Sequence, residues 1–310
     1  DRLTLVGGLR LNHETRDFLV DYTAAPVPGG RANGDLSDTA LIPSAGVNYK
    51  VTPDVLLYAK VSRGYQAPGY NGFAGIQADS LINTFAPEHL TAYEGGFKSQ
   101  FLSRRVTLNV SGFYYDYSNL QVRSVFSAAR IVINNAASAT VKGVEASVQL
   151  VPTDFLALSG QATYMDSTYS TFCEAITPGS PQWNDPLCGL GLADRSGNRL
   201  NQAPKWSGGV SMNLHFPVAN RGDMTATLSY GWESNVFFTP PNEPLVATGG
   251  WDRLDARVSY PIFQGAELYA FGRNLTKERY GAYAGRASPL LVQAGLNDPR
   301  TYGAGFRYRF

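Results

Sequence analysis

Charge is what this chain has least of. Asp, Glu, Lys and Arg make up 16% of its 310 residues, well under the roughly 25% of a typical soluble protein. The 26 basic and 25 acidic residues nearly cancel, leaving a net charge of +1, so nothing points to nucleic acid or a strongly acidic partner. Long apolar runs are missing as well. No stretch reaches the ~18 residues that a transmembrane helix needs, and no segment carries the i, i+3, i+4 stripe of an amphipathic helix. Histidine occurs three times, at His13, His89 and His215, and cysteine twice. No metal-ligand cluster, Ser/His/Asp set or phosphate-binding loop is legible among them, and the residues imply neither catalysis nor a cofactor. No leader segment stands before Asp1, so the chain reads as mature, trimmed or a fragment.

Aromatics and glycine are abundant instead, with 18 Tyr, 16 Phe and 32 Gly. They fall in a regular pattern. In the last ten residues, Tyr302, Ala304, Phe306, Tyr308 and Phe310 lie on one side of an extended strand. Gly303, Gly305, Arg307 and Arg309 lie on the other, because strand side chains alternate with period two. A strand with two such faces meets two solvents. In a sandwich the apolar face meets a second sheet; in a membrane barrel it meets lipid while the polar face lines a lumen.

The same alternation recurs along the chain. Strands are expected over 3–12, 41–51, 55–62, 88–101, 106–120 and 137–151, then over 155–165, 206–216, 224–233, 254–260, 266–274 and 301–310. Short turns are expected at 52–54, 102–105, 152–154, 217–223 and 261–265, and long loops at 17–39, 63–87, 121–136, 167–203, 238–250 and 277–299. Long and short connections alternate strictly. A sandwich has no reason to gather every long loop at one end, whereas an outer-membrane barrel does, with short turns inside and long loops outside. The fold expected is an all-β, transmembrane, antiparallel up-and-down barrel wall of about 12 strands. Trp206, Phe216, Tyr230, Trp232, Tyr308 and Phe310 fall near strand ends, where aromatic girdles meet the headgroups. Arg10, Lys60, Glu94, Lys98, Glu145, Asp255 and Arg307 fall on the lumenal side, paired with neighbouring carboxylates or open to an anionic ligand.

Particular residues then carry a family likeness. Pro87-Glu88 followed by Tyr93-Glu94, Gly96 and Lys98 is similar to a strand signature of TonB-dependent outer-membrane receptors. Gly143-Val144-Glu145, opening a strand after Asn135-Ala136, resembles the next landmark of that family. Asn274-Leu275-Thr276 with Tyr280 resembles its penultimate-strand motif, and the aromatic end at Phe310 resembles the signal read by the barrel-assembly machinery. The four occur in family order. The resemblance implies an active importer of a scarce ligand, commonly a ferric siderophore, driven through TonB from the inner membrane. It also implies a barrel of about 22 strands around a plug. On that basis residues 1–310 read as the C-terminal barrel region, with no plug domain in this chain. The alternative is a self-contained barrel of twelve strands, acting as a passive pore or a membrane-embedded enzyme. Pairing of the first strand with the last separates the two.

Cys173 and Cys188 share the longest expected loop, and at an oxidising cell surface they can close a disulfide; otherwise they are two unrelated thiols. The histidines read as polar rim residues, with His13 the one placed to ligate haem. Among the loops, 63–73, 182–186 and 237–244 mix aromatic, arginine and amide groups. The candidate ligand contacts there are Arg63, Tyr65, Gln66, Tyr70, Asn71 and Trp183. Such groups stack on and hydrogen-bond catecholates, citrate-like chelates or sugars, and they also occur in ordinary solvated loops.

Overall fold

A computed structural model of the chain describes residues 1–21, 31–71, 84–127, 130–176, 182, 184–288 and 291–309. Twelve long strands form one antiparallel sheet, each hydrogen-bonded to its neighbours in sequence. β1 covers Leu3–Asp21, β2 Arg31–Thr52, β3 Val55–Gln66 and β4 Glu88–Phe101. β5 covers Val106–Ser127, β6 Arg130–Thr153, β7 Leu156–Thr171 and β8 Trp206–Val218. β9 covers Gly222–Glu233, β10 Trp251–Phe263, β11 Ala266–Arg273 and β12 Thr301–Tyr308. The helical element among the described residues is a single 3-10 turn, Pro244–Val246, and no helix is long and apolar enough to cross a membrane.

Five tight turns lie at one end of the sheet. They join β2 to β3, β4 to β5, β6 to β7, β8 to β9 and β10 to β11. At the last of these Gly265 has φ 85°, and a Cβ there would stand 2.7 Å from the Arg309 carbonyl oxygen. Only glycine fits both the dihedral and the space.

The two faces of the sheet differ as alternation demands. Leu5, on the apolar face of β1, is 75% exposed, and Phe306, on that of β12, is 56% exposed. Aromatic pairs mark two levels of that face. Tyr93 meets Tyr114 at 6.3 Å and Tyr164 meets Trp206 at 4.7 Å towards the loop end; Phe155 meets Phe216 at 5.4 Å and Phe263 meets Tyr308 at 6.1 Å at the turn end. The stretch of β8 between the levels, 206–216, matches the ~10 residues that a tilted strand needs to cross a bilayer.

Several strands run far past the upper level, and here the expected loops need correction. Over 17–39 the β1–β2 ladder continues to Asp21↔Arg31. Over 121–136 the chain is not a loop but the top of a hairpin, paired to Ser127↔Arg130. Within 277–299, Gly281–Ser288 pairs with Leu291–Leu296. Each extension rises beyond the aromatic level, where no face meets lipid and the few buried apolar groups, such as Phe18 and Val122, are covered by neighbouring strands and loops. Period-two hydrophobicity therefore stops although the backbone ladder does not.

β1 pairs only with β2, and β12 only with β11, among the described residues. The sheet is open, without the β1–β12 pairing that a closed twelve-stranded barrel requires.

Candidate functional site

The loop end is built structure rather than loose connection. The segment after β7 folds back on itself, with Cys173–Ala175 paired to Leu192–Asp194 and Asn184–Asp185 to Gly189–Leu190. Cys173 and Cys188 form the expected disulfide, with Cα atoms 5.5 Å apart. Beside it Arg195 Nε donates to Glu174 Oε2 at 2.8 Å, with each side chain only 9% exposed. Arg195 Nη1 also donates to Gln182 at 2.8 Å. Asp185 caps the inner turn, accepting from the backbone N–H groups of Leu187, Cys188 and Asp194. The Asp194 and Leu187 donors hold its carboxyl below the ordinary carboxylate range, since hydrogen bonds to the charged form favour it. Tyr169 and Phe172 close the base of this loop, packed at 4.9 Å with Val122 and Ala139.

Neighbouring loops are tied to it. Arg199 donates to the Ala203 and Asn235 carbonyls at 2.7 and 3.0 Å and lies 5.5 Å over the Phe237 ring. Burial lowers the pKa of its guanidinium. The Asn242 side chain pairs with the Arg199 backbone in both directions, at 2.7 and 2.9 Å. Asn274, fully buried, donates to the Glu278 and Asp298 carbonyls and accepts from the Glu278 N–H. Tyr280 stacks on Trp251 at 4.7 Å. The motif at Asn274–Tyr280 is thus the hub that folds the β11–β12 connection over β10. Gly143 likewise has a local reason: the Phe113 ring would stand 2.6 Å from a Cβ there.

Most candidate ligand contacts turn inward to protein partners. Tyr65 donates to Asp38 at 2.5 Å, with its ring 5.7 Å from that of His89. Gln66 donates to Gln121 at 2.9 Å. Tyr70 stacks on Phe18 at 4.4 Å, and Asn71 pairs with the Ile133 backbone at 2.9 and 2.7 Å, as a peptide group would. Arg63 is exposed near the loop end of β3, and Trp183 lies outside the described residues. The structure therefore docks Gln66 and Asn71 on the tall β5–β6 hairpin, while Tyr70 lies against Phe18 of β1. Of the histidines, His13 bonds Thr39 at 2.8 Å and His215 is exposed near the turn end of β8. Composition could not single out Arg195, Arg199 or Asn242, whose partners lie far along the chain.

Below the loops, the lumenal side chains of six strands line up in register. One row is Thr107, Gln149, Ser159, Ser211, Ser229 and Asp255, each opposite the next. The row above it is Asn109, Ser147, Gln161, Gly209, Gly231 and Arg253. Together they floor a trough of about 520 Å³. Its hydroxyls bond one another, as Ser159 with Ser211 at 2.6 Å, and Arg253 pairs with Asp255 at 3.2 Å.

Bulkier ridges flank the trough. On one side Tyr58 donates to Glu94 at 2.6 Å and Lys98 lies 5.7 Å over the Tyr58 ring. On the other, Arg257 lies 4.0 Å over Tyr269, and Arg307 meets Glu267 at 2.9 Å. There Phe271 and Tyr269 lie on Gly303 and Gly305, where a Cβ would come within 2.5 Å of each.

An antiparallel meander with an apolar girdled face, a polar inner wall and structured loops at one end is an outer-membrane-type barrel wall. A family model described as TonB dependent receptor-like, beta-barrel, matches residues 1–275, and the chain belongs to that family. The pesticin receptor of Yersinia pestis is 24% identical over 321 residues, covering 100% of this chain and 42% of that protein. The metal-pseudopaline receptor CntO of Pseudomonas aeruginosa is 28% identical over 265 residues, covering 84% of this chain and 33% of that protein. The solved ferric yersiniabactin uptake receptor FyuA of Yersinia pestis superposes with a TM-score of 0.79 at 21% identity, covering 100% of this chain and 43% of that one. The chain thus spans less than half the length of these relatives, which are named as receptors rather than enzymes.

Proposed function

We propose that this chain forms one side of the barrel of a receptor in a bacterial outer membrane, which takes up a scarce ligand with energy delivered through TonB. A ferric siderophore is the ligand class that best fits. The observation that carries this reading is a structured, cross-tied loop assembly standing over a polar inner wall. The names of the relatives, a metal-pseudopaline receptor and a ferric yersiniabactin uptake receptor, support a metal chelate as cargo.

The open edges of β1 and β12 support further strands on either side, because each unpaired backbone group in lipid costs several kcal/mol. Completion to about 22 strands leaves a lumen wide enough to need a plug, and that plug is the partner that contacts TonB. Arg63, Tyr65, Gln66, Tyr70, Asn71 and Trp183 are the proposed ligand contacts, with the inward-bonded members shaping the surface and Arg63 and Trp183 touching the chelate.

Growth of cells with and without the gene, under iron limitation, on a panel of iron chelates, vitamins and glycans tests the reading. Loss of growth on one iron chelate, restored by the gene only where TonB is intact, is expected. Unchanged growth across the whole panel, or rescue in cells lacking TonB, sinks it.

A further inference from the structure

Resting on that reading, we infer that the imported ligand passes along the trough on β5–β10, and that the flanking ridges take no part in its passage. The inference comes from what the wall presents to a moving body. Two adjacent rows, six strands wide, carry hydroxyls, amides and glycine until they reach Arg253 and Asp255. Transport through a pore requires sites favourable enough to enter yet weak enough to leave. Neutral hydroxyls and amides meet that requirement, because a hydrogen bond that replaces one to water contributes little net free energy.

The trough also holds itself flat. Ser159 and Ser211 bond each other at 2.6 Å, and Asn109 bonds Ser147 at 3.3 Å, so these side chains lie along the wall rather than across the lumen. At Gly209 and Gly231 no side chain projects at all, and backbone forms the floor. The ridges offer the opposite surface. Long cations over aromatic rings, at Lys98–Tyr58 and Arg257–Tyr269, line the ridges and would hold an anion strongly at a fixed point.

The wall further limits the class of cargo. Its one charged pair, Arg253–Asp255 at 3.2 Å, is internally neutralised, so the trough has no cationic surplus to draw a highly charged anion. The chemistry that fits is a hydrophilic, oxygen-rich metal chelate of low net charge, exchanging its water shell for successive hydroxyls.

Single cysteines placed in the full-length receptor, in living iron-limited cells, test this inference. Cys173 and Cys188 are tied up in the disulfide, and with any cysteine in the rest of the receptor replaced by serine, a membrane-impermeant fluorescein maleimide added outside reads the new thiol. Ser211→Cys and Ser229→Cys in the trough should label several-fold faster in energised cells than after a protonophore. Lys98→Cys and Arg257→Cys on the ridges should change little. Equal acceleration at all four positions, or acceleration at the ridges alone, overturns the trough as the path while leaving the receptor reading intact. No effect of energy at any position overturns both.

Ser211→Trp provides a second measurement that does not rely on labelling. Growth on the chelate panel should fall in Ser211→Trp cells at normal surface levels of receptor, and should persist in Lys98→Trp cells. Unimpaired growth of the Ser211→Trp cells, where the unaltered receptor supports it, also overturns the trough.

Discussion

The wall and the loop assembly of this protein are stabilised in different ways. Among the described residues the largest fully buried side chains, Phe172, Val246 and Asn274, all lie outside the twelve strands. The wall is one layer thick, and its apolar face is a surface for another solvent rather than a core. It holds together through backbone ladders that almost any residue except proline can join fully. The loop assembly holds together through particular side chains, namely one disulfide, one buried ion pair and a few amide hubs. Single substitutions should therefore do far more damage in the loops than in the wall.

The sharpest break in that contrast comes at the buried ion pair. Arg195→Ala removes the guanidinium from Glu174 and leaves a carboxylate nine-tenths buried. Breaking one partner of such a pair costs about 3–5 kcal/mol, and protease cleavage within 172–205 of the full receptor should rise steeply. Unchanged cleavage would mean that the loop draws its order from elsewhere. Reduction of Cys173–Cys188, which are 15 residues apart, should follow at about 3 kcal/mol, read by the same cleavage with the barrel still intact.

Acid should loosen the same loop more gently. The carboxyl of Asp185 is held below its usual range by backbone donors, so its contribution is fully present above about pH 4, the unfolded value. It is lost as pH falls through the depressed folded value. Hydrogen exchange at the Leu187 and Asp194 amides should speed up only in that acid window; acceleration near neutral pH would point to another group. Smallest of all should be Ser211→Ala in the wall. It removes one hydroxyl from a ladder of neutral partners and should cost no more than about 1 kcal/mol in the denaturant midpoint of the purified receptor.

How much was legible in advance divides along the same line. Between the aromatic levels, two solvents impose period two on every strand, and stretches such as 55–62, 88–101 and 206–216 could be placed from alternation alone. Above the upper level no face meets lipid, and the few buried groups, such as Phe18 and Val122, are covered by distant parts of the chain. There Asp17, Asn33 and Asp38 look like loop although their backbones pair in register. The same holds for 121–136, just before which the chain adopts φ 55° at Asn119, and within which Asn135 bridges Ala86 and Asn119.

In the loops the cysteine pair could be found by counting, since only two exist. Arg199 and Asn242 could not, because 43 positions separate them in the chain. Gln66 and Asn71 were legible as amides in an exposed loop, but nothing local to them showed that the β5–β6 hairpin would take up their hydrogen bonds.

The two polar rows have a consequence for motion. Thr107, at one end of the lower row, stands beside the turn end of β5, whereas Asp255, at the other, stands nearer the loop end of β10. Strands in such barrels tilt by about 35–45°, so a row that crosses them squarely climbs the wall as it goes round. The trough is cut like a screw thread. A body that keeps to it cannot drop straight through; it must turn about the barrel axis as it descends, and anything lodged beside it in the lumen must yield sideways as well as inward.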